Sequence, residues 1–262
     1  MPHADWTILR NDGPILAVAQ HAGHHVRPEV GAYHAVDEET RLREEDPYTD
    51  RWTTIGDRRV IARTSRFEFD LNRPPDKAIY GGPAQAWGID VWREQLPDEL
   101  RAASLRRHQR FYDEISALLQ EMIKLHERVA VLDLHSYCHR RGGPSAPADD
   151  PERNPEINLC TKTIDRRRWG GLIDRVAADL REHGVEGRVP DVRENVKFTG
   201  GNLVRWINRS FGEDVCALQI EVKKTFMDEW TGQLFEPRFK AIQQALAATI
   251  PGVRESLWAE PR

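Results

Sequence analysis

Val129-Ala-Val-Leu-Asp-Leu-His-Ser136 (VAVLDLHS) starts as an apolar run and ends on charge, imidazole and hydroxyl. A short apolar run of this kind reads as a buried strand. Side chains alternate along a strand, so Asp133 and His135 fall on one face and Leu132 and Leu134 on the other. Three further runs have the same character. Residues 14–20 (PILAVAQ) lead into His21, residues 60–63 (VIAR) precede SRFEFDLNRP, and residues 215–222 (VCALQIEV) carry Glu221. Between them the apolar spacing predicts helices over 97–125, 169–180 and 238–249. Strands alternating with helices specify an α/β fold, three layers α/β/α around a mixed, largely parallel sheet. Each run ends in reactive side chains, and in open α/β sheets ligands sit outside the carboxyl ends of the strands.

The rest of the chain narrows the function classes. At 262 residues, one large domain over 1–262 is expected rather than two small ones. The net charge, 38 − 42 = −4, offers no global basic excess for nucleic acid. No apolar stretch approaches the ~18 residues of a membrane span, and the first residues lack a basic segment followed by an apolar one, so a cytoplasmic protein without a membrane partner is expected. The three cysteines, Cys138, Cys160 and Cys216, are widely spaced and form no CxxC pair, which argues against a disulfide framework or a thiolate zinc knuckle. Residues 140–155 (RRGGPSAPADDPERNP) have no periodicity and read as a surface loop, placed directly after the His135 strand.

Histidine is the unusual feature. Three of the ten lie within HAGHH, as His21, His24 and His25. Neutral imidazole is a common zinc ligand, and His21 and His135 both stand at strand ends; satisfied structural histidines are the plainer reading. An oxygen ligand could come from the acidic run Glu44-Glu45-Asp46-Pro-Tyr-Thr-Asp50. Glu221 sits in an apolar strand with Gln219 on its face, where it serves either as a general base or in an ion pair. Alternation in SRFEFDLNRP puts Arg66, Glu68, Asp70 and Asn72 on one side, with Arg73 at the exit, and Asn72 with Arg73 suits a substrate carboxylate. Residues 195–205 (NVKFTGGNLVR) join a small-residue turn to a helix start, where free backbone N–H groups can take an anion.

Taken together, HAG at His21, TD at Asp50, SRF…DLNRP at Arg66 to Pro74, D-x-HS at His135, N-x-x-F-x-GG-x-x-x-R from Asn195 to Arg205, and QIE at Gln219 to Glu221 resemble the N-formylglutamate amidohydrolases, relatives of the zinc carboxypeptidases. The resemblance spans residues 14–230. It implies a zinc-carboxypeptidase-like α/β/α fold, one divalent metal ion (Zn2+), and hydrolysis of the amide of an N-acyl amino acid, N-formylglutamate first. It implies His21, Asp50 and His135 as metal ligands, with Glu45 or Asp46 replacing Asp50 under a small shift of alignment. It implies Glu221 as the base, and Asn72, Arg73, Arg66, Gly200, Gly201 and Arg205 around the substrate. Three protein ligands plus water make an open zinc site, and the metal lowers the water's pKa from about 15.7 towards roughly 7. The chain departs from the family pattern in AQAWGIDVWREQLP, in YCHRR after DLHS, and in His24. A carboxypeptidase-like peptidase and a ligand-binding relative without turnover would use the same residues.

Overall fold

Strand alternation divides the apolar residues between two cores, one on each face of a single sheet. A computed structural model describes residues 4–259. The strands are β1 (Trp6–Arg10), β2 (Ile15–Ala19), β3 (Arg58–Ala62), β4 (Val129–Tyr137), β5 (Ile157–Cys160), β6 (Val192–Glu194) and β7 (Val215–Lys223). They form a seven-stranded sheet of order β1-β3-β2-β4-β7-β5-β6. Pairing is parallel except for β1 with β3 and β5 with β7. The helices are α1 (Pro28–Gly31), α2 (Glu38–Glu44), α3 (Thr49–Trp52), α4 (Asp98–His126), α5 (Arg166–His183), α6 (Asn202–Phe211), α7 (Glu236–Ala248) and α8 (Ile250–Leu257).

Val129 and Val131 of β4, with Val215 and Ala217 of β7, pack on Phe111, Ile115 and Leu118 of α4 and on Leu203 and Ile207 of α6. Leu132, Leu134, Leu218 and Ile220 point the other way, onto α5, α7 and α8 through Trp169, Ile173, Phe239 and Leu257. Each face removes a large apolar area from water at about 25 cal/mol per Å², which is why the central strands are apolar at nearly every position. The three layers of the α/β fold therefore follow from the alternation seen in VAVLDLHS, and the helices expected over 97–125, 169–180 and 238–249 form with small shifts at their ends. Strands β1, β5 and β6 were not evident from pattern alone, because β5 and β6 have only four and three residues and β1 (WTILR) has no unbroken apolar run such as that of β2.

The alternation expected for SRFEFDLNRP does not hold. Residues 65–73 form turns, not a strand. Glu68 N–H donates to the Ser65 carbonyl and Phe67 N–H to Ser65 Oγ, which curls the chain and buries Phe67, Glu68, Phe69, Asp70 and Leu71 alike. Glu68 then accepts from Arg27, away from Asp70. The 140–155 stretch is irregular apart from one 3₁₀ turn at Pro151–Arg153, and it connects β4 to β5. No helix among the described residues is long and apolar enough to cross a membrane.

Candidate metal centre and acid–base site

At the carboxyl ends of β2, β4 and β7 a cavity of about 610 Å³ opens, lined among others by His21, Asp46, His135, Glu221, Asn72 and Arg73. The parallel pairing of β4 with β7 sets its core. Asp133 lies opposite Gln219 and His135 opposite Glu221, so an imidazole and a carboxylate stand side by side on the α4/α6 face.

His21, Asp46 and His135 each offer one donor atom, and the three atoms lie within 4.8 Å of one another. Asp46 Oδ2 is 2.9 Å from His135 Nδ1 and 3.5 Å from His21 Nδ1. The remote nitrogen of each ring is held by another carboxylate. His21 Nε2–H donates to Asp70 Oδ1 at 2.7 Å, and His135 Nε2 lies 3.1 Å from Asp133 Oδ2, where Gln20 Nε2 also donates. Asp70 is in turn neutralised by Arg66 and bonded by the Tyr80 hydroxyl. Carboxylates behind imidazoles fix the ring tautomer and turn the other nitrogen to a metal.

The donor set fits a divalent ion of the zinc type. Two imidazoles and one carboxylate form a known catalytic zinc set, and His21 Nδ1 is a buried polar atom without a hydrogen-bond partner. Burial opposes charge on Asp46, yet the imidazoles of His135 and His21 override it and hold the carboxyl well below the usual range.

Of the three acidic candidates, the structure brings Asp46 to the imidazoles. Its N–H donates to the His21 carbonyl at 2.9 Å, which pins two of the donors together through the backbone. Asp50, the position implied by the resemblance, lies in the first turn of α3 and does not line the cavity. Tyr48, in a left-handed conformation at φ 70°, redirects the chain between the two. Glu45 is bonded to His24 Nδ1 and to Ser65 Oγ, so His24 supports the neighbouring acid instead of joining the centre.

Glu221 is buried, and burial pushes its carboxyl up to about 7, with His135 pulling partly the other way. Gln219 Nε2 donates to Oε1 at 2.6 Å. A carboxyl poised near neutrality can both take and return a proton. Just beyond β7, the buried Lys224 donates from Nζ to the carbonyls of Arg43 and Glu45, both at 2.6 Å, and so ties the strand carrying Glu221 to the segment carrying Asp46. Sequence reading offers Lys224 only as an ion-pair partner of Glu221, not as this tie. A charged residue directly after an apolar strand is ordinarily surface, and only its burial marks it out.

Arg73, Arg66, Arg205, Gly200, Gly201 and Asn72 all line the cavity. Their engagement differs. Arg66 bonds Asp70 and Tyr80 and stacks on Trp87, whereas Arg73 donates to the Gln85 carbonyl and stacks on Tyr80. Arg205 is exposed on α6. The free backbone anion site expected at the α6 start is corrected by the structure. Gly201 N–H donates to Gln219 Oε1, Asn202 N–H to the Asn72 carbonyl and Leu203 N–H to Asn72 Oδ1, so these donors are committed. A Cβ on Gly201 would come within 2.0–2.2 Å of the Asn72 amide, which explains the glycine.

A family model described as N-formylglutamate amidohydrolase matches residues 13–227. No curated protein matches the chain. The crystal structure of an N-formylglutamate amidohydrolase from Ralstonia eutropha JMP134 is similar at a TM-score of 0.76 and 19% identity, covering 97% of both chains. A gene product of Agrobacterium tumefaciens is similar at a TM-score of 0.74 and 19% identity, covering 98% of this chain and 97% of its own.

Proposed function

Because the chain belongs to the N-formylglutamate amidohydrolase family and is therefore a hydrolase, we propose that it cleaves the amide of an N-acyl amino acid, N-formylglutamate first, at a single divalent metal. The observation that carries this reading is one cavity holding His21, Asp46 and His135, the buried Glu221 beside them, and Arg73 on its wall. His21, Asp46 and His135 would hold the ion. When bound, zinc supplies a Lewis acid for the scissile carbonyl and acidifies water.

The chain's own residues do the rest. Glu221 accepts the proton of the attacking water at its free Oε2 and passes it to the leaving amine, for which a carboxyl near neutrality is well matched. Gln219 keeps Oε1 occupied and so fixes the orientation of that carboxylate. Asn72, with Oδ1 spent on α6, keeps Nδ2 as a donor, the Arg73 guanidinium lines the same cavity, and Arg205 adds positive charge from α6. Together they hold the substrate's α-carboxylate. Arg66 keeps Asp70 ionised behind His21. The whole chain, 1–262, is read as one hydrolase domain, since the strands β2, β4 and β7, whose ends serve the site, belong to one sheet.

Purified protein is tested on N-formylglutamate beside other N-acyl amino acids and dipeptides. We expect formate and glutamate as products, loss of turnover on chelation, and recovery with zinc. Full activity in metal-free protein sinks the metal-dependent reading, and hydrolysis of the dipeptides alone replaces the amidohydrolase with a peptidase.

A further inference from the structure

Lys197 enters this cavity from the segment between β6 and α6. The N–H groups of Val196 and Lys197 donate to Asn158 Oδ1 at 2.9 and 2.8 Å, and Asn158 is the register partner of Glu221 across β5 and β7. The lysine backbone is therefore fixed beside the residue read as the base. Its Nζ donates to Asn154 Oδ1 at 2.7 Å and lies 5.6 Å from the centre of the Tyr137 ring. An ammonium has three donors. The hydrogen bond formed here goes to a neutral amide, and no carboxylate among the described residues forms an ion pair with it.

A half-buried cation without a counter-charge is costly, and burial lowers its pKa from the ordinary lysine value, with Arg141 pushing the same way and Asp149 and Glu221 opposing. The other cations of the cavity are placed differently. Arg141 grips Glu44 through two hydrogen bonds, Arg66 is bound to Asp70, Arg73 lies 3.4 Å from the same Asp70, and the buried Lys224 spends its donors on the carbonyls of Arg43 and Glu45. Lys77 and Arg205 are exposed, where water and salt screen them. Lys197 is a half-buried cation of the cavity that keeps donors beyond its bond to Asn154 and has no ion-paired carboxylate among the described residues.

We propose that Lys197 binds a second carboxylate of the substrate, beyond the one held at Asn72 and Arg73, and so makes the enzyme select dicarboxylic N-acyl amino acids. This rests on the amidohydrolase reading above. The second carboxylate can come from the amino-acid side chain or from the acyl group. Asn154 positions the ammonium for it, which gives part of the irregular 140–155 stretch a role in selection.

The test compares wild type, Lys197→Met and Lys197→Arg on three substrates: N-formylglutamate, N-succinylnorleucine and N-formylnorleucine. In Lys197→Met the preference for a dicarboxylic substrate over N-formylnorleucine, as a ratio of kcat/KM, falls about thirtyfold through KM, the size of one lost charged hydrogen bond. Lys197→Arg restores most of it. Whichever dicarboxylic substrate loses its advantage identifies the source of the carboxylate. An equal loss on all three substrates, or no loss on either dicarboxylic one, overturns the proposal. Calorimetric binding of glutarate and butyrate decides the matter without turnover. Wild type prefers glutarate and Lys197→Met does not; if no substrate is hydrolysed, the amidohydrolase reading fails while this preference still tests Lys197. Equal binding of the two acids by wild type overturns it.

Discussion

Asp46 is 2% exposed and keeps its charge because two imidazoles face it. Replacing that carboxylate by an amide removes a negative donor and leaves His21 and His135 facing a weaker one. Asp46→Asn is therefore expected to lower zinc affinity at least about a hundredfold and to abolish turnover, while Asp50→Asn changes both by less than about twofold. Elemental analysis of the two purified variants, beside kcat, distinguishes them. If Asp50→Asn loses zinc and Asp46→Asn retains it, the donor set is misassigned. The histidines were legible because each follows an apolar strand whose end must meet the sheet's edge. The acid was not, because the three residues of sequence between Asp46 and Asp50 say nothing of how a left-handed Tyr48 and a one-turn helix route the chain.

At the scale of elements, the junction between the DLNR turn and α6 couples two segments far apart in sequence. Asn72 caps α6 with its carbonyl and its Oδ1, and Gly201 allows the contact by having no side chain. Gly201→Ala forces the Asn72 amide aside. We expect a loss of about 1–3 kcal/mol in urea unfolding and a raised KM with little change in kcat. An unaltered KM would separate the cap from substrate binding. The residues of this junction could be picked out in the sequence, but their pairing could not. A buried turn with apolar residues on both sides imitates a strand pattern, and only the hydrogen bonds to Ser65 reveal that it curls. The long helices and central strands were legible because their periodicity runs over many residues.

For the molecule as a whole, acid sensitivity follows from histidines buried without charge. His34 is buried against Trp92, has no carboxylate partner among the described residues, and is lowered to about 4 by burial, its contact with the Phe67 carbonyl opposing. Its folded pKa is depressed below the unfolded value of 6.5, so the unfolded chain binds the extra proton first. Stability is full above about pH 6.5 and falls as pH drops towards 4, by about 3 kcal/mol from this group alone. In His34→Gln this part of the acid loss disappears, which paired urea unfolding curves at pH 7 and pH 4.5 measure. Identical pH slopes for the two proteins would remove His34 as a cause.

Asp46 and His135 are separated by 89 residues, and they meet only because β2 and β4 lie next to each other in parallel. Such a pairing needs the intervening β3 and the whole of α4 to cross over first. During synthesis the first imidazole and the acid therefore emerge long before the second imidazole, and the acid's neighbour Lys224 comes last of all. A chain stopped anywhere before β4 can present two of the three donors but never the centre. Closure of these distant contacts is among the slower events in folding, so the cluster cannot guide the early chain and instead marks a sheet already assembled.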